Sequence, residues 1–263
     1  DTKGKNLMLF PYKSKAGLKL IHQPFFSREI VCCLDEKHTP ASVISQLPSS
    51  FRQVEFSLRD IRGIDTKKFK VEKWEHQFLD LDRSYKAIAK GYQENARRII
   101  KKATVSEMVL KETDNVKPVV EFFRKSKGDK LKAIKEKDYD NLIVLMKTAI
   151  KNKIGKCYQV VLPDGEILAS GFFFDWNNRI TYLKGSASEK GKKIGAMYFL
   201  MDQLIHKYAE TRNEFDFGGS RIPSVATFNK KFGAVDSPYY FIKHQNLPMY
   251  FKWLKAAGKI LGK

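Results

Sequence analysis

Along the first sixty residues, short apolar runs are separated by Lys, Gly, Pro and Ser: NLMLFPY, LKLIHQPFF, EIVCCL and RQVEFSL. Runs of this length with this punctuation predict β-strands. Between 83 and 103 the period changes. Tyr85, Ile88, Tyr92, Ala96 and Ile99 recur at helical spacing, while Lys86, Lys90, Arg97, Arg98, Lys101 and Lys102 occupy the remaining surface, which predicts one long basic helix. A strand-like VSEMVLKE follows. The polar break TDNVKP after it is the expected domain boundary, giving an N-terminal lobe over 1–115 and a C-terminal lobe over 116–263.

A second cycle starts there. Helices are predicted over 117–127 and 138–152, the latter with Leu142, Leu145, Met146 and Ile150 on one face. Strands follow at 157–162, 166–176 and 179–185, joined by PDG and NN, both tight-turn sequences, so an antiparallel meander is expected. A loop rich in lysine and glycine then leads into a helix with an apolar stripe of Ile194, Met197, Tyr198, Met201, Leu204, Ile205 and Tyr208. A short strand (214–218), a helix (222–232), a strand (239–245) and a basic terminal segment (248–263) complete the α/β (α+β) pattern. There is no strict repeat.

Charge narrows the partners. With 49 Lys+Arg against 29 Asp+Glu the formal charge is +20, a field that attracts nucleic acid, nucleotide donors, anionic lipid or phosphorylated precursors without choosing among them. The 263 residues allow one large domain or two modest ones. Cys32, Cys33 and Cys157 lack the spacing of a disulfide framework and fit a reducing, cytoplasmic setting. No apolar run is long enough to span a bilayer, and DTKGKNLMLF has no signal-peptide pattern. The chain opens without methionine and close to a strand, which leaves room for residues upstream of Asp1.

Several familiar chemistries fail on spacing. A P-loop needs four residues between its glycines and a Ser or Thr after the lysine; here Gly185 and Gly191 enclose five, and Lys193 stands at the hydroxyl position. DFG occurs at 216–218 without the glycine-rich loop, strand lysine or HRD motif of a kinase. His22, His38, His76, His206 and His244 have no metal-ligand spacing, so no metal is expected. What remains is a strand, a Gly/Lys loop and a helix, an order that can present backbone N–H groups to a pyrophosphate at the positive end of a helix. Lys190, Lys192 and Lys193 add charge there; the bland alternative is a solvated loop in which Gly191 and Gly195 merely turn the chain.

The stretch FDFGGSRIPSVATFNKKFGA (215–234) resembles the YDFGG…FKxxFG signature of the Fem-type branch of the GNAT acyltransferase superfamily. HQFLDLDRSYKAIAKGYQENARRIIKKA (76–103) is similar to the segment that closes the first lobe in that branch. Lys192-Lys193-Ile194-Gly195-Ala196-Met197 partly matches the pyrophosphate motif R/Q-x-x-G-x-G/A, with methionine where a small residue is usual. With LIHQPFF near the start, the resemblance covers most of the chain. It implies two GNAT-like lobes, each a mixed, largely antiparallel sheet flanked by helices, the first truncated at its start.

The resemblance also implies a mechanism: an amine attacks an activated acyl carbon, and the protein orients the reactants and stabilises the oxyanion. The donor is acyl-CoA (acetyl-CoA) in GNAT enzymes and aminoacyl-tRNA in the cell-wall Fem enzymes, which act on a peptidoglycan precursor. Donor binding falls to Leu183 and Lys184, where the strand splays, and to Lys190, Gly191, Lys192, Lys193, Ile194, Gly195 and Ala196. Asp216 is the candidate for accepting a proton or positioning the amine, or else a carboxylate capping the Gly218-Gly219 turn. Asn229 stands where the Fem signature has lysine, with Lys230 next, and this departure favours acyl-CoA over tRNA. The small-molecule or peptide amine acceptor is expected near Gln23, Phe25 and Phe26, between the lobes. The remaining reading is a non-catalytic nucleic-acid-binding module in which Arg97, Arg98, Lys101 and Lys102 of the basic 83–103 helix, interleaved with Tyr85 and Tyr92, track a phosphate backbone; the two tyrosines fall on the apolar stripe, which points to the core instead.

Overall fold

The structure, a computed structural model, describes residues 6–15, 17–126, 134–219 and 222–256. The chain forms two compact units, one drawn from its two ends (up to Glu75 and from Pro238), the other from His76 to Ser237. The expected boundary near 115 is not where they part. Strands β7 (Val109–Thr113) and β8 (Gly155–Val161) pair across it, Val109 opposite Val161 and Thr113 opposite Cys157, and the Asn115 carbonyl accepts the Gln159 side-chain amide at 3.1 Å. The polar break is a tight connection inside the second unit.

In the first unit, β1 (Leu7–Met8) and β4 (Cys32–Cys33) pair as a small ribbon. β2 (Tyr12–Lys15), β3 (Leu18–His22), β5 (Phe51–Leu58) and β12 (Val235–Gln245) make a mixed sheet in that order. Period-two alternation sends Val54, Phe56 and Leu58 of β5 to one face, where they pack with Ile21, Ile242 and Phe69. The sequence reading passed over a helix here, α1 (Pro40–Ile44), although its start is written plainly: the Thr39 hydroxyl accepts the Ser42 N–H and Pro40 opens the first turn. The other sheet face receives α9 (Met249–Ala256) through Phe251, which is buried against Leu18, Leu20 and Leu247. Residues 257–263 of the expected basic terminal segment lie outside the described residues.

The second unit is a six-strand sheet in the order β6 (Lys70–Asp80, which enters from the first unit), β11 (Glu214–Gly219), β10 (Arg179–Ala187), β9 (Ile167–Trp176), β8, β7. β6 was not expected. The meander was, and Asn177 and Asn178 join β9 to β10 with φ of 51° and 60°, the left-handed pair that a two-residue hairpin requires. Successive residues of β9 face opposite layers. Phe172 lies within reach of a Cβ placed on Gly155, beside Ala149 of α5 (Glu136–Lys151), whereas Phe173 joins the core of α7 (Ala196–Tyr208). α4 (Lys117–Ser126) packs on β9 and β10; residue 127, the end of that predicted helix, lies outside the described residues.

Two expectations about helices are corrected. The basic helix over 83–103 is two: α2 (Tyr85–Lys90) and α3 (Glu94–Thr104). At Gln93 the backbone is extended (ψ 147°) and its N–H bonds the Lys231 carbonyl at 2.9 Å, so a tertiary partner takes the donor that a continuous helix would have used. Conversely, the lysine-rich loop is a helix, α6 (Glu189–Ile194), capped by the Ser188 hydroxyl on the Gly191 N–H at 3.0 Å. Gly195 then turns the chain left-handed (φ 81°) into α7.

The glycines here answer to packing. A Cβ on Gly191 would stand 2.0 Å from the Leu168 carbonyl oxygen, and one on Gly195 would stand 2.5 Å from Ile99 Cγ2 of α3. Both helices can therefore press closely on the sheet and on α3. Gly191→Ala is expected to destabilise the fold by roughly 2–4 kcal/mol, read as a lower urea midpoint at unchanged m. An unchanged midpoint would mean that α6 lifts off β9 at no cost.

α7 also buries a charge-bearing group. Asp202 is 2% exposed and accepts the Tyr85 hydroxyl at 2.7 Å. Burial raises its pKa above the usual 3.8, with the Tyr85 hydrogen bond pulling partly back. A carboxyl whose folded pKa is raised binds more protons folded than unfolded, so its contribution is full below 3.8 and is lost as pH rises through the folded value. Asp202→Asn should flatten this decline: the stability of the variant relative to the parent, measured in urea at a series of pH values, improves between acid and neutral pH. A difference that stays constant with pH would show that Asp202 does not titrate differently in the two states.

Candidate functional site

The parallel pairing of β10 with β11 is short: Arg179, Ile180 and Thr181 face Glu214, Phe215 and Asp216, and the ladder ends there. β10 runs on to Ala187 paired with β9, while β11 follows β6 with a register shift between Asp216 and Gly219. Gly218 makes the divergence, at φ 76° and close enough that a Cβ would meet the Tyr182 carbonyl oxygen at 3.0 Å. The strands part as a fork. Beyond it, β10 has a strand partner on one side only among the described residues, so alternate N–H and C=O groups over 183–187 turn away from the ladder with β9.

Asp216 sits at the crotch with no solvent exposure. Its Oδ1 accepts the Gly218 N–H at 2.8 Å, and Oδ2 lies 3.9 Å from an Arg179 guanidinium nitrogen. It is thus the cap of the glycine turn, one of the two roles expected for it. Leu183 falls at a register shift between β10 and β9, and the Lys184 ammonium stands 4.8 Å over the Phe123 ring of α4.

Asn229, near the end of α8 (Pro223–Lys230), is 1% exposed and donates to the Gln77 side-chain oxygen at 3.1 Å; its own Oδ1 is buried with no hydrogen-bond partner among the described residues. Gln77 in turn donates to Asp236 at 2.9 Å, and Asp236 meets the Lys230 ammonium at 2.5 Å, which holds its carboxyl below the usual range. Lys231 donates to the Tyr198 hydroxyl at 2.9 Å. The two lysines after Asn229 therefore serve surface contacts, and only Asn229 points inward. Asp216 and Asn229 both adjoin β6 but on opposite faces of the sheet: Asp216 is opposite Phe78, and Asn229 is bonded to Gln77, whose side chain points the other way. Gln77 was missed from sequence because no strand was read over 70–80. The alternation in KVEKWEHQFLD was the available signal.

The residues expected from the pyrophosphate motif lie at the far end of β10. Lys190 pairs with Glu166 and Lys192 with Glu189, while Lys193 is exposed. Gly191, Gly195 and Ala196 are buried and Ile194 is half-buried. In the first unit, Gln23 is committed to its own loop, donating to Ser27 and accepting the Ser57 N–H at 2.9 Å. Phe26 takes a left-handed φ of 65°, and Phe25 is 52% exposed. Tyr92 is buried and Tyr85 packs against the same core, its ring against His206, as their place on the apolar stripe implies. A separate open cleft of about 450 Å³ beside α7, lined by Leu110, Glu112, Tyr158, Gln203, His206 and Lys207, contains none of the expected site residues. Its charges are already matched, Lys207 bonding both Glu112 and the Tyr158 hydroxyl at 3.1 Å.

Known folds show the same arrangement. A crystal structure of FemX superposes with a TM-score of 0.69 at 11% identity, over 94% of this chain and 86% of that one. A conserved protein of unknown function from Bacteroides thetaiotaomicron gives 0.62 at 9%, over 90% and 83%. L-PGS from Bacillus licheniformis gives 0.56 at 13%, over 99% and 90%. At these identities the likeness is one of fold. No curated protein sequence matches the chain. The family model described as an acetyltransferase (GNAT) domain matches residues 90–224, just over half of the chain and the part that contains the fork. The fork, the two units and this match together place the chain in the GNAT acetyltransferase family: it is an acyltransferase.

Proposed function

We propose that this acyltransferase moves an acyl group from an acyl-CoA, acetyl-CoA among them, to the amine of a small molecule or peptide. The observation that carries the reading is the fork between β10 and β11. A strand edge opened inside a sheet offers backbone N–H and C=O groups to an extended ligand rich in amides, and the pantetheine arm of CoA is one. The amine nitrogen attacks the thioester carbon and a C–N bond forms. The C–S bond breaks, the sulfur leaves with its electron pair, and the amine gives up a proton. N–H groups along 183–187 are the chain's means of stabilising the oxyanion. Asp216 acts through the Gly218 turn as a positioning residue, and the exposed Lys193 with Lys192 receives the donor's phosphates. The three cysteines are free, which fits a cytoplasmic setting.

A second reading, aminoacyl transfer from tRNA to a peptidoglycan precursor, is favoured by one observation: Lys190 and Lys192 are paired with glutamates and the neighbouring glycines serve packing. The pyrophosphate motif thus has uses that need no CoA, and the +20 charge suits a tRNA.

Titration calorimetry with acetyl-CoA and with CoA, at moderate and high salt, separates the two. One saturable site per chain that survives high salt, weakened at least tenfold by Lys192→Ala with Lys193→Ala, is the result expected for acyl-CoA. Absent CoA binding together with salt-sensitive binding of charged tRNA would overturn it in favour of the second reading. For Asp216→Asn, kcat should fall about tenfold or more with KM for the donor little changed. Stability should fall by about 1–2 kcal/mol, because the amide oxygen still accepts the Gly218 N–H but without the charge that strengthens the bond and draws Arg179. Loss of stability with kcat intact, measured well below the melting temperature, would make Asp216 structural alone.

A further inference from the structure

Among the described side chains of α9 (249–251 and 253), one is buried, the aromatic ring of Phe251. Phe251 is 1% exposed against Leu18, Leu20 and Leu247, while Met249 is 73% exposed, Tyr250 52% and Trp253 74%. Three large apolar side chains on two turns of helix face solvent, and an apolar patch of that kind marks a surface built to meet something.

The charges beside it say what. Lys13 stands opposite Leu20 and Lys15 opposite Leu18 in the β2–β3 ladder, and residues directly opposite share a sheet face. Those lysines are therefore on the face that α9 covers. On the same sheet face the acidic Glu55 is matched by Lys243 at 3.1 Å and by the Gln245 side chain at 2.9 Å. His22, next to Lys13, has its pKa lowered by burial and by that lysine and adds no negative charge. An exposed Trp, Tyr and Met on a helix over the sheet face that carries Lys13 and Lys15, for which no ion pair is seen among the described residues, have the composition of an interfacial surface, which lies in the headgroup region with its apolar side down and its lysines on lipid phosphates. No helix among the described residues is long and apolar enough to cross a membrane, so the mode is attachment to one leaflet.

We propose that α9, with Lys13 and Lys15 of β2, is a docking surface for an anionic phospholipid membrane. This goes beyond the acyl-transfer reading and does not depend on which donor is used. It holds the protein at a surface where anionic headgroups concentrate, without committing the fork to a lipid substrate.

The test is co-flotation of the purified full chain with vesicles of phosphatidylcholine alone and of phosphatidylcholine mixed with phosphatidylglycerol, at low and physiological salt. Binding to the mixed vesicles only, weakened by salt, is expected. Lys13→Glu with Lys15→Glu should weaken it by about twenty-five-fold or more, at about fivefold per lysine lost. Trp253→Ser with Met249→Ser should weaken it at least tenfold at unchanged circular dichroism, since both side chains are already exposed. A blue shift of tryptophan emission on mixed vesicles that disappears with Trp253→Phe places that ring in the interface. Absent flotation, flotation indifferent to both double variants, or flotation abolished by the lysine changes alone while RNA binding falls in parallel would overturn the proposal, the last by making the surface a general polyanion site.

Discussion

The carboxylate of Asp216, wholly buried, accepts the Gly218 N–H, and this bond decides where β11 stops following β10. A charge without solvent has to be hydrogen-bonded, and the glycine turn supplies a donor here, with Arg179 farther off. The turn in turn needs a residue that accepts a positive φ beside the Tyr182 carbonyl, which glycine does. With β11 drawn toward β6, β10 is left with an open edge in the middle of a sheet. Proteins normally cover or blunt such edges; here it is kept, in the unit that carries the acyltransferase domain.

The two stretches that resemble Fem-type proteins, 76–103 and 215–234, turn out to be packing partners. The Gln93 N–H bonds the Lys231 carbonyl, Gly233 lies against the Gly91 carbonyl, Tyr92 packs edge-on against Phe232, and Asn229 bonds Gln77. A signature spread over two distant segments is thus one contact surface. The same surface splits the basic helix in two and orients Asn229 inward, so the position that departs from the Fem pattern also has a buried amide oxygen with no partner among the described residues.

The C-terminal meander, its turns, α5 and α7 were legible because each is local: alternation, two asparagines with left-handed φ, and a helical stripe carry their own information. What escaped was set by partners far away in sequence. β6 reads as polar alternation until β11 lies beside it. The 115 break looks like a linker until Gln159 bonds its carbonyl. The Gly/Lys segment reads as a loop because glycine and lysine are common in loops, whereas Ser188 caps it and Leu168 demands its glycine. Of the site, Asp216 and Asn229 could be named from the signature, but Gln77 and the role of Gly218 needed the fold.

Gly191 and Gly195 have a consequence for tracing this family's history. Since a main-chain oxygen and a neighbouring isoleucine forbid any larger residue at these points, selection for a folded chain would retain both in a descendant that had abandoned catalysis. Their survival in a distant homologue records ancestry and compactness. Under the proposed acyl-CoA reading, inheritance of the reaction is better judged from Lys193, an exposed side chain that a folded descendant could more readily lose.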